Sequence, residues 1–248
     1  MHPGTPRRRS PFIGATGARL FRPSTPNPST TSNTMNHRIV PSFLGAQSEF
    51  PTQGPAADPP PGAAGTDTVT MGLWRSLALR DEATAQHSLR VAHWVVLLAG
   101  ECGMSTHERW SLRRGALLHD IGKLGVPDAL LRKPGSLDEG ERVQVNAHAE
   151  NGFALVNTVE PLRGVADLVR YHHERWDGQG YPCRLAGEAI PLGARLLAVC
   201  DAFDAMTSDR PYREGMPHDA ALTTIERAAG TQLDPAVVAA FLRIARAA

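Results

Sequence analysis

Several large protein classes are excluded by what this sequence has little of. Only three cysteines occur among 248 residues, Cys102, Cys183 and Cys200, and none stands in a CxxC spacing. That excludes a disulfide framework and a zinc knuckle, and it fits a reducing, intracellular setting. No window approaches the ~18 uninterrupted apolar residues of a membrane helix. Runs such as Val95 to Ala99 are far too short. No segment of four or more residues alternates apolar and polar side chains as a half-buried strand would. Neither charge dominates: six arginines and three acidic residues fall in the first 70 positions, which leaves 20 basic and 22 acidic residues after them. A body without a cationic footprint is a poor binder of duplex nucleic acid, whereas a small anion met by a few placed arginines and metal ions stays within reach.

What the chain does have is distributed unevenly. Twelve of its 20 prolines fall before Ala63, in a stretch rich in Ser, Thr and Gly. Its apolar residues are too scattered to offset the entropy of ordering, so residues 1 to 70 are expected to form a disordered tail. Arginines 7, 8, 9, 19, 22 and 38 give this stretch a transit-peptide flavour. A plain flexible tail, or translation starting at Met35 or Met71, accounts for it more simply, and no signal-peptide pattern is present.

From Gly72 onward apolar residues recur at steps of three and four: Leu73, Leu77, Leu89, Val91, Val95, Leu98, Leu112. This period predicts helices at about 72–80, 84–102, 105–119, 138–157, 161–173, 191–207, 217–228 and 234–246. Prolines 127, 134, 182, 191, 211 and 235 sit between these segments or in their first turns, where a missing amide costs little. Residues 71–248 are therefore expected to form a single all-α domain.

Eight of the ten histidines lie in this body. His119 and Asp120 are adjacent at the end of an apolar helix, followed by Ile-Gly-Lys, with Gly122 read as the helix stop. His148 stands on an amphipathic helix, His172 and His173 form a doublet, Asp201 lies in a later helix, and His87 in the first long one. Singly, each is more often an ordinary histidine or hydrogen-bonded aspartate, as His93, His107 and His218 are taken to be. Together, five histidines and two aspartates are the donors that iron, manganese and zinc accept, and they suffice for two ions. Helical proteins build such sites from ligands on separate helices, and two ions about 3.5 to 4 Å apart favour in-line displacement at a phosphodiester.

The loop HHERWDGQGYP at 172–182 carries the pattern further. With HDIGKLGVPDALLRKPGSL at 119–137, IPLGARLLAVCDAFDAMTSDRPYR at 190–213, GTQLDP at 230–235 and DEATAQHSLRVA at 81–92, the sequence resembles an HD-GYP domain, a branch of the HD metal-dependent phosphohydrolases. The resemblance runs from about Leu73 to the C-terminus. It implies an all-α HD-type domain that hydrolyses cyclic di-GMP to linear pGpG in the cytoplasm, with onward cleavage to GMP left open. It implies that His119, Asp120, His148, His172, His173 and Asp201 hold two divalent ions, iron or manganese, with Asp120 bridging and His87 at an upstream ligand position. Lys123, Arg210 and Arg213 would meet the phosphates, Lys123 beside Asp120 in catalysis, and Asp204 would lie near them at the substrate.

For Gly180, Tyr181 and Pro182 two readings stand: docking to diguanylate cyclase (GGDEF) domains, or closing over the histidine doublet. Two departures from the family pattern matter. Ala83 occupies the position where members with three metals carry glutamate, and Glu82 is one step, about 100°, off that face. A two-metal site is therefore expected. Arg184 stands where glycine is usual, beside an unexpected Cys183. Two rival functions also remain: a non-catalytic module binding cyclic di-GMP or a cyclase, and a phosphohydrolase for another cyclic dinucleotide such as cyclic GMP-AMP.

Overall fold

Asp81, Ser105, Asp138 and Asp234 each accept a hydrogen bond from a free amide at a helix start, and Ser105 and Asp138 complete capping boxes with Glu108 and Glu141. These local signals punctuate a helical chain. A computed structural model describes residues 63–209 and 214–247. Its helices are α1 (Ala63–Arg80), α2 (Glu82–Glu101), α3 (Thr106–Leu118), α4 (Asp128–Leu131), α5 (Glu139–Asn146), α6 (His148–Thr158), α7 (Ala166–Tyr171), α8 (Leu192–Thr207), α9 (His218–Ala228) and α10 (Pro235–Ala245). Short 3-10 turns at Ile121–Gly125, Glu160–Val165 and Gly187–Ala189 link them. No strand occurs among the described residues, so the expected all-α class holds.

Helix α2 is the central post. Ala85, Ser88, Val91, Ala92, Val95, Leu98 and Ala99 recur at three- and four-residue steps and form its buried face, against which α1, α3, α8 and α10 pack. Leu77, Leu117, Leu118, Leu196, Leu197 and Phe241 are fully enclosed in the same core, each worth about 1.5–3 kcal/mol for a side chain of this size. Trp94, Phe203 and Phe241 meet edge to face, with ring centroids 5.1–5.5 Å apart.

Three boundaries differ from the periodicity. Helix α1 begins at Ala63, so residues 63–70 of the expected tail are helical, while residues 1–62 lie outside those described. Trp74 and Leu77 anchor α1 in the core, Asp67 pairs with Arg114 at 2.9 Å, and Thr70 is buried. Extending a nucleated helix costs little, even through Thr and Gly. The segment 138–157 is broken after Ala147 into α5 and α6, because α5 buries no residue and nothing holds it in line with α6. The segment 161–173 opens as a 3-10 turn around Pro161 before α7 begins.

Candidate metal centre

Three of the histidines sit where helices stop. A helix leaves its last carbonyls without intrahelical partners, and here those carbonyls are taken up by imidazoles. His119, at the end of α3, donates from Nδ1 to the Ala116 carbonyl at 2.7 Å. His148, just past α5, donates to Val145 at 2.7 Å, and His172, at the end of α7, donates to Val169 at 2.7 Å. A carbonyl only accepts, so Nδ1 carries a proton in all three, and in the neutral ring Nε2 presents its lone pair to the interior. The Nε2 atoms of His148 and His172 face each other at 3.3 Å. His173 lies against His172, ring centroids 4.0 Å apart.

Asp120 is buried among them. Its Oδ1 is 3.4 Å from Nε2 of His148, and its Oδ2 is 3.5 Å from Nε2 of His119 and 2.6 Å from the Lys123 ammonium. Burial opposes ionisation of this carboxyl, but Lys123 and the surrounding histidines outweigh it and hold its pKa well below the carboxylate range. Burial also pushes the pKa values of His148, His172 and His173 down, so these rings favour the neutral form that ligates.

The other side of the centre is built across α2 and α8. His87 Nε2 is 3.0 Å from Asp201, and its Nδ1 donates to Asp204 at 2.7 Å. Burial works against charge on His87, yet the hydrogen bonds to Asp201 and Asp204 raise its pKa to about 9. Asp201 is desolvated as well, but His87 keeps it ionised far below the usual range. Asp204 is itself gripped by Arg90, Nε to Oδ1 at 2.7 Å and Nη2 to Oδ2 at 3.0 Å, and accepts from Ser208 at 3.1 Å. Its carboxylate is 4% exposed. The structure thus places Asp204, expected near the substrate, against His87, Arg90 and Ser208.

The donor atoms fall into two groups, Asp120 with His148, His172 and His173, and His87 with His119 and Asp201, each within 4.8 Å of one another. Imidazole and carboxylate in these proportions suit borderline divalent ions. Buried lone pairs facing each other at 3.3 Å fit a cation as their common partner. Ala83 and Glu82 are exposed on α2 and enter neither group.

Two supports were not apparent from the sequence. A Cβ on Gly122 would fall on the backbone carbonyl of His148 and the amide of Gly152, so Gly122 lets the turn after Asp120 press directly on α6. It lacks positive φ, and the expected helix-stop role is replaced by close approach. Arg80, from α1, donates to the carbonyls of Lys123, Leu124 and Val126 and pairs with Asp128 at 2.7 Å, clamping the same turn.

The loop after the doublet folds back on it. Gly178 has φ +71, and Gly180 lies so close to the backbone of His173, Glu174 and Arg175 that a Cβ would clash. Tyr181 stacks on His173 with centroids 4.8 Å apart, and its peptide bond to the half-buried Pro182 is cis. Buried Glu174, unremarked in the sequence, accepts from the amides of Cys183 at 2.7 Å and Leu185 at 3.0 Å. Trp176 and Asp177 donate their amides to the carbonyls of Gln232 and Thr231, which ties the GTQLDP segment to this loop. Arg184 has φ +58, a left-handed conformation that favours the glycine usual at this position. Arg210 and Arg213 lie outside the described residues.

A helical domain whose histidines and aspartates converge from five segments on one buried centre has the layout of an HD domain. A profile of the family described as HD domain matches residues 73–237, and the chain belongs to that family. It is 45% identical over 158 residues, 64% of its length and 34% of the relative's, to 3'3'-cGAMP-specific phosphodiesterase 3 of Vibrio cholerae. It is 41% identical over 173 residues, 69% of its length and 46% of the relative's, to the cyclic di-GMP phosphodiesterase response regulator RpfG of Xanthomonas campestris pv. campestris. The chain thus spans less than half the length of these curated relatives. A solved structure of an HDG"Y"P protein from Bdellovibrio bacteriovorus shares the fold at 19% identity, with a TM-score of 0.57 over 73% of this chain and 63% of that one. No helix among the described residues is long and apolar enough to cross a membrane.

Proposed function

We propose that the chain is a metal-dependent phosphodiesterase that hydrolyses cyclic di-GMP to pGpG and, with a second cleavage, to GMP. The observation that carries this reading is the Asp120 carboxylate, one oxygen turned to His148 and the other to His119, so that it spans both donor groups. Asp120, with His148, His172 and His173 on one side and His87, His119 and Asp201 on the other, would hold two divalent ions, iron or manganese. When bound, a pair of this kind supplies Lewis acidity and an activated water for attack on phosphorus. The chain's own residues do the rest. The histidines whose Nδ1 protons are committed to backbone keep their Nε2 atoms aimed inward without reorganisation. Lys123 has one of its three protons on Asp120, which leaves two to donate to phosphate oxygens. Arg210 and Arg213 follow α8 in sequence, and their planar forks suit bidentate phosphate contact.

The loop 178–182 closes over the doublet in this reading: Tyr181 covers His173 and Glu174 holds the loop down. Gln179, exposed beside Gly180, Tyr181 and Pro182, and Cys183 and Arg184 just after them, border the face a diguanylate cyclase (GGDEF) domain would meet. A second substrate reading, cyclic GMP-AMP, is favoured by the 45% identity to a relative named for it. The full chain, loaded anaerobically with iron or manganese, is tested against both dinucleotides, with metal analysis on the same sample. Linear product from cyclic di-GMP at two ions per chain supports the main reading. Preference for cyclic GMP-AMP would replace the substrate, and two ions without turnover would replace the enzyme with a binding module.

A further inference from the structure

We infer that Arg90 is a positioning residue for the ion held by His87, His119 and Asp201, acting through Asp204. The inference rests on the two-metal reading and adds what fixes one half of it.

His87 and Arg90 are three residues apart on α2, and Asp201 and Asp204 three apart on α8, so each pair projects from one face of its helix. The facing helices form a ladder of two rungs. The inner rung joins two ligands, His87 Nε2 to Asp201 at 3.0 Å. The outer rung joins Arg90 to Asp204 through two parallel hydrogen bonds of 2.7 and 3.0 Å. The diagonal, His87 Nδ1 to Asp204 at 2.7 Å, ties the rungs together. An imidazole can turn about its Cβ–Cγ bond, and the acceptor of its second nitrogen decides which nitrogen faces the metal. For His119, His148 and His172 that acceptor is a backbone carbonyl, which no side-chain change removes. For His87 it is a carboxylate, which can itself rotate, and the Arg90 fork stops it.

Arg90 is 47% exposed, so its truncation opens no core cavity. Its guanidinium grips a carboxylate pointed at a ligand, a role that lysine, with a single ammonium, cannot duplicate. The consequence is selective: losing Arg90 weakens the ion at His87, His119 and Asp201 and spares the one at His148, His172 and His173.

The test is calorimetric titration of the metal-free full chain with manganese(II) alone, for wild type, Arg90→Ala, Arg90→Lys, Asp204→Asn and the Arg90→Ala/Asp204→Asn double variant. Two binding steps are expected in wild type. One of them should weaken about 10- to 100-fold in Arg90→Ala, as for other supports behind a ligand, while the other is unchanged. Asp204→Asn should weaken the same step, and the double variant should be no weaker than Asp204→Asn alone. Arg90→Lys should fall between, and it carries the test if the alanine variant does not fold. Wild-type affinity for both ions in Arg90→Ala or Arg90→Lys would overturn the inference while leaving the two-metal reading intact, as would additive losses in the double variant. A wild-type chain that takes up a single ion would overturn both.

Discussion

The two halves of the metal centre are held in place by different means. His148 and His172 are anchored by carbonyls at the ends of α5 and α7, and Asp120 by its place between α3 and a backbone-packed turn. In the second half His119 is also held by a carbonyl, but His87, which pairs with Asp201, is anchored by side chains, Asp204 and Arg90 beyond it. The first half is therefore as rigid as the helices that end there. In the second, His87 depends on two charged residues, one of them half exposed. Substitution away from the ligands should separate the halves, which gives the comparison its tests.

The largest effect is expected where the halves join. Asp120→Ala removes the carboxylate that touches both groups and leaves Lys123 with no counter-charge among buried imidazoles. Bound metal should drop to background in elemental analysis, and turnover should fall by at least ~10²–10³-fold. Gly122→Ala comes next and aims at the backbone-held half. Its methyl group meets the His148 carbonyl and the Gly152 amide, so the turn or α6 must shift. A loss of about 1–3 kcal/mol in denaturant unfolding is expected, together with weaker binding at the His148 group.

Glu174→Ala tests the loop that covers that half. It strips the acceptor from the Cys183 and Leu185 amides, each worth about 1–3 kcal/mol when left unsatisfied, though water reaching the exposed loop will recover part of this. Thermal unfolding should begin several degrees lower, and the loop amides should lose protection from hydrogen exchange. The smallest effect runs the other way. Arg184→Gly relieves a left-handed conformation that costs a non-glycine residue about 1–2 kcal/mol, so the unfolding midpoint should rise slightly with metal affinity unchanged.

The histidines and aspartates that converge and the helical class were legible in the sequence because both depend on residue type and spacing. Apolar steps of three and four marked α2, α3 and α8, and the order of histidines and aspartates marked the donors. What was illegible depends on where backbone lies against backbone. Gly122 read as a helix stop because glycine does that commonly; only its contact with α6 shows the need for a missing side chain. The break at Ala147, which creates the free carbonyl for His148, falls inside a continuous amphipathic pattern. The start of α1 at Ala63 was hidden by Thr and Gly, whose weak propensity is overridden by the anchoring of Trp74 and Leu77. Asp204 was expected near the substrate and Arg90 was not singled out, because a carboxylate's partner cannot be chosen from spacing alone.

Anomalous diffraction at the manganese edge, from crystals of the full chain grown with manganese(II), tests the central claim most directly. Two peaks are predicted, about 3.5–4 Å apart on either side of the Asp120 carboxylate. One should be ringed by His148, His172 and His173, and the other by His87, His119 and Asp201. A single peak, or peaks lying away from Asp120, would contradict a bridged two-metal centre.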